Sequence, residues 1–256
     1  MGREKLGSRL GFILLSAGCA IGIGNVWKFP YVVGQNGGGL FVLIYLVFLA
    51  ILGIPVLTME FFIGRAAQKS PVKMYQQLEP EGTKWHIHGK VALAGAYLLL
   101  MFYTTVAGWM VRYFVSTAVG ELSGLDSAGV AEAFGVMLTD APMMVLFMGI
   151  VVAVAVIVCS VGLKNGLERV TKVMMIALLA IMVVLAINSF FMEGGKAGLS
   201  FYLMPNPDAV NEVGIGNIIV NAMNQAFFTL SLGIGAMAIF GSYIGKEQRL
   251  TGEAMW

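Results

Sequence analysis

A cluster of glycines lies inside an apolar run, in the stretch Ala17-Gly18-Cys19-Ala20-Ile21-Gly22-Ile23-Gly24-Asn25. This stretch is the most informative about the fold. That run covers about residues 10–34, which is long enough to cross a bilayer as a helix. A glycine costs about 1 kcal/mol in a helix interior, so the cluster favours a break in the span. A break exposes backbone N–H and C=O groups that lipid cannot satisfy, and it requires protein or a polar cavity beside it.

A second apolar run, about residues 215–244, contains a similar cluster from Phe227 to Gly235. Coordinating side chains stand beside the small residues in both clusters: Asn25 in the first, and Thr229 and Ser231 in the second. Freed carbonyl groups can bind a bare cation, and freed N–H groups at the start of a half-helix can hold a carboxylate. Close helix packing through glycine explains one such cluster equally well. Two interrupted spans, the first and the sixth, fit an inverted five-helix repeat better.

The composition is that of a membrane protein. Hydrophobic residues make up 58% of the 256 residues, charged residues 12%, and the mean hydropathy is +0.84, whereas soluble proteins carry about 25% charged residues. The net charge is only +2, and the sequence contains no basic cluster interleaved with aromatic residues, so we expect no nucleic-acid partner. Cys19 and Cys159 lie in apolar runs and are expected to be small buried hydrophobic residues.

Six apolar runs predict six transmembrane helices in a single all-α transmembrane domain over residues 1–256. The runs cover about residues 10–34, 40–63, 91–119, 142–161, 167–192 and 215–244. With this count, lysine and arginine fall almost entirely in the segments on one side, and Lys196 is the exception on the other side. Because basic loops stay in the cytoplasm, we predict a multi-pass protein of the cell membrane with a cytoplasmic N-terminus.

Enzymatic chemistry is not indicated by the sequence. The polar segment 64–89 contains His86 and His88, but a metal site needs further ligands and none is evident, so a solvated loop is favoured. The spans contain no paired carboxylates, no H-E-x-x-H motif and no nucleophile–base set. We therefore expect a protein that is not an enzyme.

Three groups of motifs, in order along the chain, resemble the neurotransmitter:sodium symporter family in its bacterial amino-acid-transporting form. They are Arg9–Leu14 with Gly22–Tyr31 and Asn36–Phe41, then Gly53-Ile54-Pro55 with Glu60 and Gly64-Arg65, and finally Gln225–Gly233. The family has about twelve spans arranged as two inverted five-helix repeats. The resemblance implies that this chain contains the first repeat plus the first helix of the second, with helices one and six interrupted at the membrane midplane. It is then expected to be the N-terminal half of a larger transporter.

The resemblance implies two sodium sites at the break of helix one. The carbonyl groups of Gly18 and Ile21 would bind one ion, and the carbonyl group of Ala20 with the Asn25 side chain would bind near the other. Thr229 would add its carbonyl and hydroxyl groups. In the family the remaining ligands come from helices seven and eight, so each site would be only partly present here.

Chloride is a separate question. Tyr45, Gln225 and Thr229 match positions near the family's chloride site, but the residue that decides chloride dependence lies on helix seven. The resemblance leaves the use of chloride open.

For the substrate, the resemblance implies an amino acid whose carboxylate is held at the break of helix one and by a tyrosine of helix three. Gly22 is the most informative position, because monoamine-carrying relatives have an aspartate there. Glycine leaves room for the substrate's own carboxylate, which predicts an amino acid rather than a monoamine. Ile234 beside Phe228 and Ser231 suggests that its side chain is neutral and apolar. The expected substrate-binding residues are Ala20, Gly22, Gly24, Tyr103, Phe228, Thr229, Ser231 and Ile234.

The resemblance also assigns gates. Lys28 would form an outer gate over Phe228 and Tyr103, while Arg3 and Tyr243 would form an inner gate. A charge inside a span is usually functional, although Lys28 could equally extend toward the outer surface. Glu60 would support the broken backbone, with a proton relay as the weaker alternative.

The function implied by the resemblance is sodium-coupled symport of a neutral amino acid by alternating access. The expected partners are the amino acid, sodium ions, the lipid bilayer and the missing C-terminal half. The alternative is a truncated, non-transporting membrane protein that acts as a scaffold or as a dominant-negative half.

Overall fold

A computed structural model describes residues 9–22, 24–245 and 249–255, and over these residues the protein is helical with one isolated bridge between Gly38 and Pro205. The α-helices are α1 (Arg9–Ala20), α2 (Phe29–Gln35), α3 (Gly39–Phe48), α4 (Ile54–Ala67), α5 (Pro71–Leu78), α6 (His86–Ala118), α7 (Ser127–Thr139), α8 (Ala141–Ser160), α9 (Arg169–Phe191), α10 (Gly195–Leu203), α11 (Ala209–Val213), α12 (Ile215–Thr229), α13 (Ala236–Gly241) and α14 (Leu250–Met255). Three π-helical segments are Gly24–Lys28, Leu49–Gly53 and Leu163–Glu168. The expectation of an all-α fold is confirmed.

Four helical stretches in the described part of the chain are long and apolar enough to cross a membrane. They are Gly39–Ala67, His86–Ala118, Ala141–Ser160 and Asn165–Phe191. A fifth is the bent pair Gly11–Ala20 and Gly24–Gln35, whose halves meet at 57°. The run predicted as the sixth span forms α12 and α13, and each half alone is too short to count. The number of six spans therefore stays a prediction.

The chain divides into two compact units. One contains residues 1–93 and 168–256, and the other contains residues 94–167. In the second unit, Asp126 and Asp140 accept hydrogen bonds from the first turns of α7 and α8, respectively. Arg112 and Glu121 form an ion pair of 3.2 Å in the same unit. The interrupted helices belong to the first unit, which holds the candidate site.

Helix one is interrupted at the predicted glycine cluster. Helix α1 ends at Ala20 and the π-helical segment begins at Gly24. The carbonyl group of Gly22 accepts hydrogen bonds from the N–H groups of Asn25 at 3.0 Å and Val26 at 3.3 Å, so it starts the second half. Glycine permits this interruption at low cost because it carries no side chain that restricts its backbone.

Helix six is interrupted between Thr229 and Ala236. Three residues in this segment have positive φ angles: Ser231 at 52°, Gly233 at 87° and Gly235 at 76°. Glycine adopts this conformation readily, whereas for serine it is uncommon and costs about 1–3 kcal/mol. Strain of this kind persists where the surrounding structure holds the backbone in place.

Two apolar cores lie on either side of these interruptions. The α3–α12 core consists of Val33, Phe41, Tyr45, Ile218, Ala222 and Ala226. The α4–α13 core consists of Phe12, Leu57, Phe61, Met237, Ile244 and Leu250. Helix two, which runs from Gly39 to Ala67, thus packs through its first half against α12 and through its second half against α13.

Glycines allow α4 and α13 to approach closely. A β-carbon on Gly64 would overlap the carbonyl group of Ala238, and a β-carbon on Gly241 would overlap the backbone of Phe61. Small residues at such positions are the usual means by which membrane helices pack against one another. The short α13 is therefore held by backbone contact along α4.

Candidate functional site

A network of hydrogen bonds, here called the polar network, joins the two interrupted helices and α3. The Tyr45 hydroxyl donates to Thr229 Oγ1 at 3.1 Å, and Thr229 Oγ1 donates to Asn25 Oδ1 at 3.1 Å. Asn25 Nδ2 donates to the Ala20 carbonyl oxygen at 2.8 Å, and Gln225 Nε2 lies 3.4 Å from Thr229 Oγ1. The network therefore connects residues separated by more than 200 positions in sequence.

The oxygen atoms of the polar network suit a hard cation. The carbonyl oxygen of Ala20, Oδ1 of Asn25 and Oγ1 of Thr229 come together at the ends of α1 and α12. Sodium, like other hard cations, is bound by such neutral and anionic oxygen atoms. These three residues are among those predicted to bind sodium.

Two further predicted sodium ligands lie in the last turn of α1 and beside it. Ile21 follows α1, and its N–H group donates to the Ala17 carbonyl at 2.6 Å. Gly18 faces α9, where a β-carbon would overlap the Thr171 side chain. The roles of both carbonyl groups stay predictions.

The predicted substrate residues of the first unit lie around the same interruptions. A β-carbon on Gly24 would overlap the Phe228 ring, so this glycine allows the ring to rest on helix one. Nζ of Lys28 lies 4.9 Å from the centroid of the same ring, a cation–π contact. Ser231 Oγ donates to the Cys19 carbonyl at 3.3 Å. Ile234 lies in the interrupted segment of helix six.

Glu60 connects helix two with the interrupted part of helix six. It is 9% exposed, and its Oε1 accepts a hydrogen bond from the Gly233 N–H group at 2.7 Å. A buried N–H group outside a helix needs such a partner, because an unsatisfied one costs about 1–3 kcal/mol. This contact is the one expected of a residue that supports broken backbone.

The remaining gate residues are only partly described. Tyr103 lies on α6 in the second unit, where its ring is 5.7 Å from that of Phe102. Tyr243 follows α13, and its N–H group donates to the Phe240 carbonyl at 2.9 Å. Arg3 lies outside the described residues. The roles of these three residues in gating, and of Tyr103 in substrate binding, stay predictions.

Two cavities lie next to the polar network. One, of about 340 Å³, is lined by residues from Lys28 to Asn36 and by residues of α12, including Gln225 and Phe228. The other, of about 450 Å³, is lined mainly by apolar residues of α1, helix two and α14, and it reaches Ala20 and Thr229. Gln225 of the network therefore lines a polar cavity, while Ala20 and Thr229 line a mainly apolar one.

Asn221 and Asn224 also line the polar cavity, and neither was predicted from the sequence. They follow Asn217 at four and seven residues, a spacing that places amides on one face of α12. This periodicity could have identified them. The contact of Asn221 with Asn36, which follows α2, could not be predicted from the spacing, because it depends on how the two segments pack.

With this geometry established, comparison with known proteins assigns the family. The model of the Sodium:neurotransmitter symporter family matches residues 3–127 and 134–256. The chain belongs to this family of sodium-coupled transporters, which is not a family of enzymes. The resemblance stated from the sequence motifs is therefore confirmed.

Several relatives show how the chain compares with whole transporters. It is 37% identical over 243 residues to the uncharacterized sodium-dependent transporter YhdH of Bacillus subtilis, covering 95% of this chain and 53% of that protein. It is 34% identical to the uncharacterized sodium-dependent transporter MJ1319 of Methanocaldococcus jannaschii, covering 98% and 51%. The mouse sodium-dependent neutral amino acid transporter B(0)AT2 is 24% identical over 96% of this chain and 37% of its own length.

A solved structure matches the fold along nearly the whole chain. The crystal structure of MhsT in complex with L-phenylalanine superposes with a TM-score of 0.87 at 38% identity, covering 99% of this chain and 57% of MhsT. The expected all-α membrane transporter fold is thereby confirmed. The chain spans about half the length of YhdH, MJ1319 and MhsT.

Proposed function

We propose that the protein takes part in sodium-coupled symport of a neutral amino acid across the cell membrane. The observation that carries this proposal is the polar network, in which the interruption of helix one meets the end of α12 through Asn25 and Thr229. Oxygen ligands for a cation and a glycine-lined opening for a carboxylate then lie in one place. We propose that the N-terminus faces the cytoplasm, in agreement with the distribution of basic residues.

In this proposal sodium is bound by the interrupted backbone. Ala20, Asn25 and Thr229 supply oxygen atoms for one region, and Gly18 and Ile21 supply carbonyl groups for a second. Two ions need more ligands than these residues offer, since a hard cation takes about six oxygen atoms. The rest would come from residues that match the second half of the relatives.

The proposed substrate is a neutral amino acid. Gly22 and Gly24 leave space for its carboxylate, while Phe228, Ser231 and Ile234 line the space for its side chain. Lys28 and the Phe228 ring close this space on the side of the polar cavity. The proposal is supported by B(0)AT2, described as a neutral amino acid transporter, and by MhsT, solved with L-phenylalanine.

The proposed mechanism is alternating access. Residues of the polar network line both cavities. Opening one cavity while closing the other would expose the site to each side in turn. Glu60 would act as a structural support for helix six, through its bond to Gly233.

The alternative stated from the sequence, a membrane protein that does not transport and acts as a scaffold or as a dominant-negative half, stays a prediction. The chain covers 53% of YhdH and 57% of MhsT.

Uptake of labelled L-phenylalanine into proteoliposomes, with and without an inward sodium gradient, tests these functions against each other. We expect sodium-dependent uptake that Thr229→Val abolishes. Thr58→Val is the matched control, because the Thr58 hydroxyl donates to the Ile54 carbonyl of its own helix at 2.7 Å. An uptake rate that is the same with and without the sodium gradient would contradict the proposal. Absence of uptake in the unmodified protein would favour the non-transporting function.

A further inference from the structure

Two side-chain amides join the second half of helix one to α12. Asn221 Nδ2 donates to Asn36 Oδ1 at 2.7 Å, and Asn36 Nδ2 donates to the Val32 carbonyl at 2.8 Å. Asn36, which follows the last turn of α2, is only 5% exposed. Its amide is therefore held at both ends in a largely buried position, where hydrogen-bond geometry is strictly maintained.

The same two segments carry Lys28 and Phe228. Lys28 precedes Asn36 by eight residues and Phe228 follows Asn221 by seven, which is about two helical turns in each case. All four residues line the polar cavity of about 340 Å³. The cation–π pair is here called the Lys28–Phe228 lid. The lid and the amide pair of Asn36 and Asn221 are thus two connections between the same two segments.

Apolar contacts also join these segments, through Val33, Ile218 and Ala222 of the α3–α12 core. Hydrophobic contact is non-directional, so it leaves the rotation of each segment about its axis weakly determined. A hydrogen bond restricts both distance and angle. The amide pair therefore fixes the rotation of each segment about its axis, so that Lys28 lies over the Phe228 ring.

We infer that Asn36 and Asn221 are positioning residues, which hold the Lys28–Phe228 lid closed over the polar network. The inference rests on the proposed function for the identity of the molecule beneath the lid, a neutral amino acid. The two amides act through Lys28 and Phe228. Breaking the pair lets the two segments rotate independently, and the lid then opens more often toward the polar cavity.

Asn217 provides a matched control on the same helix. It lies four residues before Asn221, and its Nδ2 donates to the Val213 carbonyl at 2.9 Å, within its own chain segment. Asn217→Ala removes an amide of the same kind from α12 without removing a contact to α2. A difference in lid opening between Asn217→Ala and Asn221→Ala therefore measures the effect of the connection between the two segments.

The experiment measures thiol labelling in the full-length protein, reconstituted in liposomes. Cys19→Ala and Cys159→Ala remove both native thiols, and Ser231→Cys places one at a predicted substrate-binding position, three residues after Phe228. A membrane-impermeant methanethiosulfonate is added on the side to which Lys28 is exposed.

We expect Asn221→Ala and Asn36→Ala each to raise the labelling rate about threefold to tenfold, which is the factor that one hydrogen bond between membrane helices contributes. The double variant should label no faster than either single variant, and Asn217→Ala should label at the parent rate.

An unchanged labelling rate in Asn221→Ala, or an equal rise in Asn217→Ala, would overturn the inference. If Asn221→Ala does not fold, Asn36→Ala removes the acceptor of the same hydrogen bond, and the same rise is expected. Uptake kinetics add a second measurement: KM should rise and kcat stay constant in Asn221→Ala, whereas general damage would lower kcat. Labelling does not require transport, so the two proposals can fail separately. Absence of amino-acid uptake would refute the proposed function, whereas the labelling rates alone decide whether Asn36 and Asn221 hold the lid closed.

Discussion

Single residues at the interruption of helix one carry the amino-acid specificity that we propose for the site. Gly22 supplies a carbonyl group that starts the second half of the helix, and Gly24 makes room for the Phe228 ring. A side chain at either position would fill space that the proposal assigns to substrate or lid. The proposed amino-acid specificity therefore depends on the absence of side chains as much as on the groups present.

Gly22→Asp tests this view directly. We expect the new carboxylate to occupy the position of the substrate carboxylate, so that sodium-dependent amino-acid binding falls by more than about a hundredfold, because two like charges at close range cost several kcal/mol. Gly22→Ala, which adds a methyl group without charge, should have the smaller effect. Binding of labelled L-phenylalanine is the measurement, and unchanged affinity in Gly22→Asp would contradict the pocket assignment.

At the scale of helices, the contact between α4 and α13 depends on two glycines. Gly64→Ala and Gly241→Ala each place a methyl group against backbone of the facing helix. Overpacking of this kind costs about 1–3 kcal/mol, and backbone cannot move aside as a side chain can. We expect both variants to lower the free energy of unfolding measured in detergent.

Gly216→Ala is the control for these variants, because a β-carbon on Gly216 of α12 would meet no atom within 4 Å. Alanine is the better helix former by about 1 kcal/mol, so this variant should be neutral or more stable. Equal loss of stability in Gly216→Ala and Gly64→Ala would show that the close approach of α4 and α13 is not the cause.

The start of α6 depends on Glu79, which lies between α5 and α6. The His86 N–H group donates to Glu79 Oε2 at 3.0 Å, and the His86 ring contacts the same carboxylate at 2.9 Å. The backbone hydrogen bond from His86 is the main cause that lowers the pKa of Glu79. A lowered carboxylate pKa contributes stability above the unfolded-state value of about 4.3, and this contribution is lost as the pH falls through the lower folded-state value.

Thermal unfolding as a function of pH tests this contribution. We expect Glu79→Gln to lower the melting temperature near neutral pH and to reduce the further loss that the unmodified protein shows below about pH 4.3. Glu81→Gln, two residues along the chain, should retain the full loss on acidification. The prediction is wrong if both variants keep the acid sensitivity of the unmodified protein.

For the whole molecule, the sequence predicts the features that depend on local chemistry. Both interruptions lie at the glycine clusters, since backbone freedom belongs to the residues themselves. The family, and with it the meeting of Asn25 and Thr229, followed from motif resemblance. The Asn36–Asn221 pair and the π-helical segment Leu49–Gly53 could not be predicted, because they arise from packing between distant segments.

We propose that the interruptions of helices one and six bind sodium together with an amino acid. Equilibrium binding of ²²Na⁺ to the full-length protein, with and without L-phenylalanine, measures this property. We expect sodium binding that L-phenylalanine strengthens and that Asn25→Ala or Thr229→Val removes. Sodium binding that is unaffected by the amino acid and by both substitutions would contradict it.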